Sequence, residues 1–349
     1  MKILVTGVGG PTPRSFVKSI KNFGRSDRYE FFGCDCNPLS IGLYQKDLFK
    51  ATYLVPGVNS DGYWKAITDI VEKEKIDYAV VQPELEVLHW SKRNEEGKLP
   101  CPSLLPNHNL AKTLVDKSAM TIILGPYDLV PCWFAFDRDE IPDRPGLNYP
   151  FWVRSATGSS GLGALKVNST EELKNWVQIN EGVENFLAAI YLPGRNLACK
   201  MLYYKGKLLR AAVAERVKYI MAKVAPSGIT GNTSYGRLLN DEHVVDVSTR
   251  AMDILFEQTR APKHGFFTAD LKEDEKGEPI ITEVNVRFVA FNQCFAAGGA
   301  NLAQDFMDVM TEEKSFDPKY KQYKFDDDAI FLRDVDELPI VMKASDILA

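Results

Sequence analysis

Two short stretches of this 349-residue chain concentrate the groups that could do chemistry. One runs from Asp270 to Arg287. Glu283 and Asn285 are two residues apart, so on a strand they share a face. Asp270 lies on the preceding apolar run, and the charged turn 273–278 predicts a hairpin that sets Asp270 alongside them. Three oxygen donors with open positions suit Mg²⁺, which completes its octahedron with phosphate and water. Arg287 continues the same face, within reach of a phosphate. Ile280, Ile281, Val284 and Val286 surround these polar groups, which argues against a merely solvated hairpin.

The other stretch is Arg154-Ser155-Ala156-Thr157-Gly158-Ser159-Ser160-Gly161-Leu162-Gly163. Its three glycines let backbone approach a ligand and turn amides toward it, and the hydroxyls add donors. Arg154 adds a fixed positive charge, a combination that suits polyphosphate. Taken alone, such a loop is more often a plain strand connection. A third motif, Gly7-Val8-Gly9-Gly10-Pro11, follows a strand and precedes a helix, with Asp35 ending the second strand. It is a partial dinucleotide fingerprint, since Pro13 or Arg14 stands where the third glycine belongs.

The elements that must position these groups follow from periodicity. Residues 1 to 106 alternate short apolar strands with amphipathic helices, which predicts a parallel sheet covered on both faces. Residues 107–125 read as one helix with Asp116-Lys117 near its middle. Pro126, Pro131, Pro142, Pro145 and Pro150 then mark an irregular stretch. Strands at 151–154 and 164–167 flank the Gly-rich loop, and Ser169 or Thr170 caps a helix. Antiparallel strands are expected at 185–192, 196–204 and 208–216, a long helix at 242–259, and the acidic hairpin at 266–286. One more strand is expected at 329–332, within a charged tail. The fold class is α/β, turning α+β in the C-terminal half.

Bulk properties narrow the function. The net charge is −5 and no Lys/Arg run is long, so no nucleic-acid surface is expected. No stretch approaches the roughly 20 apolar residues that cross a bilayer. The six cysteines form no CxxC pair and read as reduced thiols in a soluble, cytoplasmic protein. His89, His108, His243 and His264 lack metal-ligand spacing, and no Ser–His or Cys–His nucleophile stands out.

Taken in order, Asp116-Lys117, Phe151 to Gly163, Tyr191-Leu192-Pro193-Gly194, Asp270 and Glu283-Val284-Asn285-Val286-Arg287 resemble the ATP-grasp superfamily. The likeness is nearest to its carbamoyl phosphate synthetase-like carboxylate–amine ligase branch and spans residues 1 to about 312. It implies an ATP-grasp fold behind an N-terminal Rossmann-like pre-ATP-grasp domain. The implied domains are 1–106, then a small subdomain 107–185 with the lid loop, then a large subdomain 186–349 with the metal site. Lys117 and Arg154 would contact the nucleotide phosphates. Thr157, Gly158, Ser159, Ser160, Gly161 and Gly163 would form the lid. The backbone of Ile190 and Leu192 would meet the adenine, and Asn196 the ribose. Asp270, Glu283 and Asn285 would ligate Mg²⁺, with Mn²⁺ as a substitute. Arg287, with Arg216 as the weaker candidate, would steady the transferred phosphoryl group. The implied activity is ADP-forming ligation of a small carboxylate to an amine, or to a thiol, through an acyl phosphate. Family members are often dimers, so a homodimer is one assembly the resemblance allows. Two competing readings are an NAD-dependent oxidoreductase or epimerase using the N-terminal turn, and a non-catalytic ATP-binding relative.

Overall fold

The alternating pattern of the first hundred residues folds, in a computed structural model, as a four-stranded parallel sheet. The structure describes residues 1–142, 146–156, 163–334, 340–343 and 345. Strands β1 (Lys2–Thr6), β2 (Glu30–Asp35), β3 (Ala51–Leu54) and β4 (Tyr78–Val80) lie in the order β3-β2-β1-β4. Helix α1 (Pro11–Phe23) starts on Pro11, which needs no amide donor there, and buries Phe16, Val17 and Ile20. Helices α2 (Tyr63–Glu74) and α3 (Glu84–Glu95) bury Tyr63, Ile67, Val87 and Trp90 in the core on the other side of the sheet. All the strand pairings of this sheet are parallel, as the periodicity predicts.

The expected single helix over 107–125 is instead two, α4 (His108–Val115) and α5 (Lys117–Leu124). Asp116 sits between them in an extended conformation, and its side chain accepts the Ser118 and Ala119 amides. Satisfying two orphan amides of a new helix outweighs continuing the old one. Lys117 is therefore the first residue of α5, and it is buried rather than solvated.

A second sheet has the order β5-β8-β6-β7, from β5 (Trp133–Asp137), β6 (Phe151–Ser155), β7 (Leu165–Val167) and β8 (Asn185–Ile190). It packs against α6 (Thr170–Ile179), capped by Ser169, around its own apolar core. The proline-flanked stretch thus hides one strand, β5. Its Phe134 and Phe136 pack on Phe151 and Phe186, and five paired residues on β8 pin it.

The third sheet follows the path β13-β12-β9-β10-β11-β15-β16, with β14 beside β10. Its members are β9 (Asn196–Tyr204), β10 (Lys207–Tyr219), β11 (Thr233–Leu239), β12 (Gly265–Glu273), β13 (Pro279–Asn285), β14 (Lys321–Gln322), β15 (Ala329–Leu332) and β16 (Ile340–Lys343). β9 is buried along nearly its whole length because it is central, with β10 and β12 on either side. Helix α7 (Glu242–Gln258), capped by Asp241, covers one face through Val244, Ser248, Ala251 and Leu255. Helices α8 (Asn292–Ala297) and α9 (Leu302–Met310) join the core of α1 and so tie the third sheet to the first. No helix among the described residues is long and apolar enough to cross a membrane.

Candidate active site

The acidic hairpin forms as expected. β12 and β13 pair antiparallel with Asp270 opposite Glu283, and the polar face carries on to Asn285. Asn285 Nδ2 donates to Asp270 Oδ2 at 3.3 Å, which leaves Asn285 Oδ1 as the oxygen a cation would use. Basic groups from other elements surround the acids. Arg216, near the end of β10, donates to Asp270 Oδ1 at 2.5 Å. Lys117 Nζ lies 3.7 Å from Glu283 Oε1 and Arg154 Nη1 lies 3.8 Å from Glu283 Oε2. Arg154 is steered by a second bond, Nη2 to the carbonyl of Thr282 at 2.7 Å.

Burial raises the Asp270 carboxyl to about 6; Arg216 opposes this rise and Glu283 adds to it. Two carboxylates side by side on one sheet face favour a cation between them. Among the described residues no three His, Cys, Asp or Glu side chains cluster as a metal site. The donor set is therefore two carboxylates and one amide. Those are hard oxygens, and they fit Mg²⁺.

These residues line a cleft of about 1200 Å³. All three sheets contribute to it: Gly7, Asp35 and Gln82 from the first, Trp152, Arg154 and Ile190 from the second, Asp270 and Glu283 from the third. Leu192 and Asn196 line it too. The Ile190 amide is committed to Cys132 O at 3.0 Å, so a contact with a base there is one made by its carbonyl. Asn196 Oδ1 faces Lys272 Nζ at 3.4 Å. Arg287, beyond the end of β13, pairs with Glu84 at the start of α3 at 3.0 Å, linking the acidic hairpin to the first sheet's side of the cleft. Gly163 lies at the base of the loop with φ 63°, a left-handed conformation that favours glycine, and Trp176 holds its carbonyl at 2.8 Å. Thr157, Gly158, Ser159, Ser160 and Gly161 lie outside the described residues.

The N-terminal turn has glycines for packing reasons. A Cβ on Gly7 would collide with the Pro83 ring, and one on Gly9 with the Ser40 hydroxyl. Asp35 has its oxygens filled by the Gly9 amide at 2.7 Å, the Asn37 amide at 2.9 Å and the Ser40 hydroxyl at 2.8 Å. A dinucleotide ribose would need that carboxylate free, so the geometry disfavours the NAD reading.

No family model matches the sequence, and no curated protein matches it either. Solved structures match its shape. L-amino acid ligase from Bacillus licheniformis aligns with TM-score 0.67 over 95% of this chain and 78% of that one, at 15% identity. N5-carboxyaminoimidazole synthetase from Staphylococcus aureus, complexed with ADP, gives 0.67 over 95% and 81%, at 14% identity. The biotin carboxylase domain of Hydrogenobacter thermophilus 2-oxoglutarate carboxylase, complexed with MgADP and bicarbonate, gives 0.65 over 95% and 74%, at 15% identity. The chain has the ATP-grasp fold.

The cleft also holds residues to which the sequence assigned no role. Trp152 is two residues before Arg154 on β6 and lines the cleft with it; the period of two was the available signal. Tyr191 has Lys166 Nζ 4.1 Å from its ring centroid, and Lys272, with its amine lowered by burial, bonds Gly194 O at 3.0 Å. Glu86, on the first turn of α3, carries no motif and was invisible in the sequence.

Proposed function

We propose that this chain is an ATP-dependent, ADP-forming carboxylate–amine ligase that works through an acyl phosphate. One observation carries the reading: Lys117, Arg154, Asp270, Glu283 and Asn285, far apart in sequence, converge on one cleft between the second and third sheets. The ADP complexes of structural neighbours support the same reading. We read 1–106 as a Rossmann-like pre-ATP-grasp domain, 107–185 as the small subdomain and 186–349 as the large one.

Asp270, Glu283 and Asn285 would hold Mg²⁺, which when bound supplies charge neutralisation at phosphate oxygens. Lys117 and Arg154 orient the triphosphate; both are held by Glu283 and so are already aimed. A substrate carboxylate oxygen attacks the γ-phosphorus, and the bond from that phosphorus to the ADP oxygen breaks. Arg287 and Arg216 carry positive charge to the transferred phosphoryl group. The amine nitrogen then attacks the acyl carbon, loses a proton, and expels inorganic phosphate. The cleft needs no side-chain nucleophile for either step.

The test is ADP release with pairs of small carboxylates and amines. Asp270→Asn and Glu283→Gln are each expected to lower it by roughly 100-fold or more with the melting temperature retained. Wild-type rates in either variant would sink the metal assignment.

A further inference from the structure

The end of the cleft nearest the first sheet carries groups that the phosphoryl-transfer chemistry does not use. Glu86 lies there on the first turn of α3. Tyr63 donates its hydroxyl to Glu86 Oε2 at 2.9 Å, and Tyr63 in turn accepts from Trp90 Nε1 at 2.8 Å. The Thr6 hydroxyl, at the end of β1, lies near the carboxylate and favours its ionised form. Thr6 Oγ1 accepts the Gln82 backbone N–H at 3.3 Å, which fixes Gln82 beside the end of β1. Gln82 is 2% exposed and lines the same cleft, and its Oε1 has no hydrogen-bond partner among the described residues.

Glu86 is thus a built carboxylate: the Tyr63 hydroxyl, itself held by Trp90, fixes its orientation, and no basic group among the described residues pairs with it. Its charged neighbour is Asp35, another carboxylate, whose oxygens are already filled. Glu84 nearby is answered by Arg287. An unpaired charge in a desolvated cleft is costly, and so is an unsatisfied amide oxygen. Both are relieved by a ligand group that is positively charged and offers several N–H donors. A carboxylate or phosphate would meet repulsion from Glu86 and Asp35 together.

We propose that Glu86 and Gln82 form a recognition site for a protonated primary amine on one of the substrates. The site binds and positions that group and takes no part in bond making. The inference rests on the ligase reading for calling the ligand a substrate; the binding itself does not need it.

Burial pushes the Glu86 carboxyl up to about 7, with the Thr6 and Tyr63 hydroxyls opposing and Asp35 adding. The titratable and charged groups facing it are Cys34 and Asp35 from β2, Cys36 just beyond that strand, Tyr63 from α2, and Glu84 on its own helix. Above that value the carboxylate is ionised and attracts the cation; below it the attraction is lost.

The test is calorimetry on the full chain with β-alanine, L-lysine and propylamine, each against its N-acetyl derivative. At least one amine should bind, and N-acetylation of it should weaken binding roughly 10- to 100-fold. Binding should tighten as pH rises through about 7. Glu86→Gln should lose both the preference and the pH dependence, and Gln82→Leu should weaken amine binding. Both should keep the wild-type affinity for Mg-ATP, which confirms that they fold. Amine binding that is absent in wild type, or unchanged in Glu86→Gln, overturns the site while leaving Mg-ATP binding, and with it the ligase reading, standing. Loss of Mg-ATP binding in the wild type overturns the ligase reading and leaves the amine measurement to decide the site.

Discussion

At the scale of single residues, the charges around the acidic hairpin each have a nameable partner, whereas Glu86 has no basic one among the described residues. Asp270 answers Arg216, and Glu283 answers Lys117 and Arg154. Lys200 on β9, outside the cleft lining, has a neutral partner in place of a carboxylate. It is fully buried, its amine donates to Asn292 Oδ1, and the Phe291 and Phe295 ring centroids lie 4.9 and 5.0 Å away. Burial drives its pKa well below the ordinary 10.5, and Arg216 adds to the shift. The unfolded chain then binds a proton that the folded chain does not, between that lowered value and 10.5. Stability supplied by this difference is complete above 10.5 and is lost as pH falls toward the lowered value. The stability of wild type relative to Lys200→Met should therefore rise with pH, by up to about 1.4 kcal/mol per unit. Urea unfolding of both proteins across a pH series checks this; a difference independent of pH would mean that Lys200 stays charged.

At the scale of elements, the position of Lys117 depends on a cap. Asp116 starts α5 by accepting two amides, and that break turns Lys117 inward toward Glu283. Asp116→Ala should cost about 1 kcal/mol of stability and raise the KM for ATP more than it lowers kcat. Denaturant unfolding and steady-state kinetics test the two halves separately. Gly194, between β8 and β9, is a similar hinge of packing. A Cβ there would meet Glu273 Cβ at 2.5 Å and its carbonyl oxygen at 2.9 Å. Gly194→Ala should lose about 1–3 kcal/mol by urea unfolding, because backbone must move to admit it. Elements differed in how well they could be read. The β12–β13 hairpin was legible because alternation of period two is a local property. The break at Asp116, the strand β5 among prolines, the strand β11 and the helices α8 and α9 were not. The break has a local cause in the Asp116 cap, which competes with a continuous helical pattern; the apolar residues of the strands and helices face partners distant in sequence, so no short window contains the reason for their conformation.

At the scale of the whole molecule, ligand binding should couple the three sheets, since each contributes to the cleft wall. Mg-ATP at 100 times its dissociation constant should add about 2.7 kcal/mol to stability. NAD(H) should add nothing, because the Gly9 turn is filled by Ser40 and Asp35 is already satisfied. A thermal-shift series with both nucleotides decides between them; stabilisation by NAD(H) alone would overturn the ligase reading.

Sequence alone determined the chemical inventory of this protein. The spacing of Glu283 and Asn285 put them on one strand face, and the first hundred residues specified a parallel sheet, because both depend on short-range periodicity. The order of motifs carried the resemblance to the fold later seen. Tertiary structure decided what those groups face. It paired Arg216 with Asp270 and Arg287 with Glu84, turned Asp35 inward, and left Glu86 and Gln82 looking into the cleft. Electrostatic environment and hydrogen-bond satisfaction depend on groups tens or hundreds of residues away, and only the packed chain brings those together.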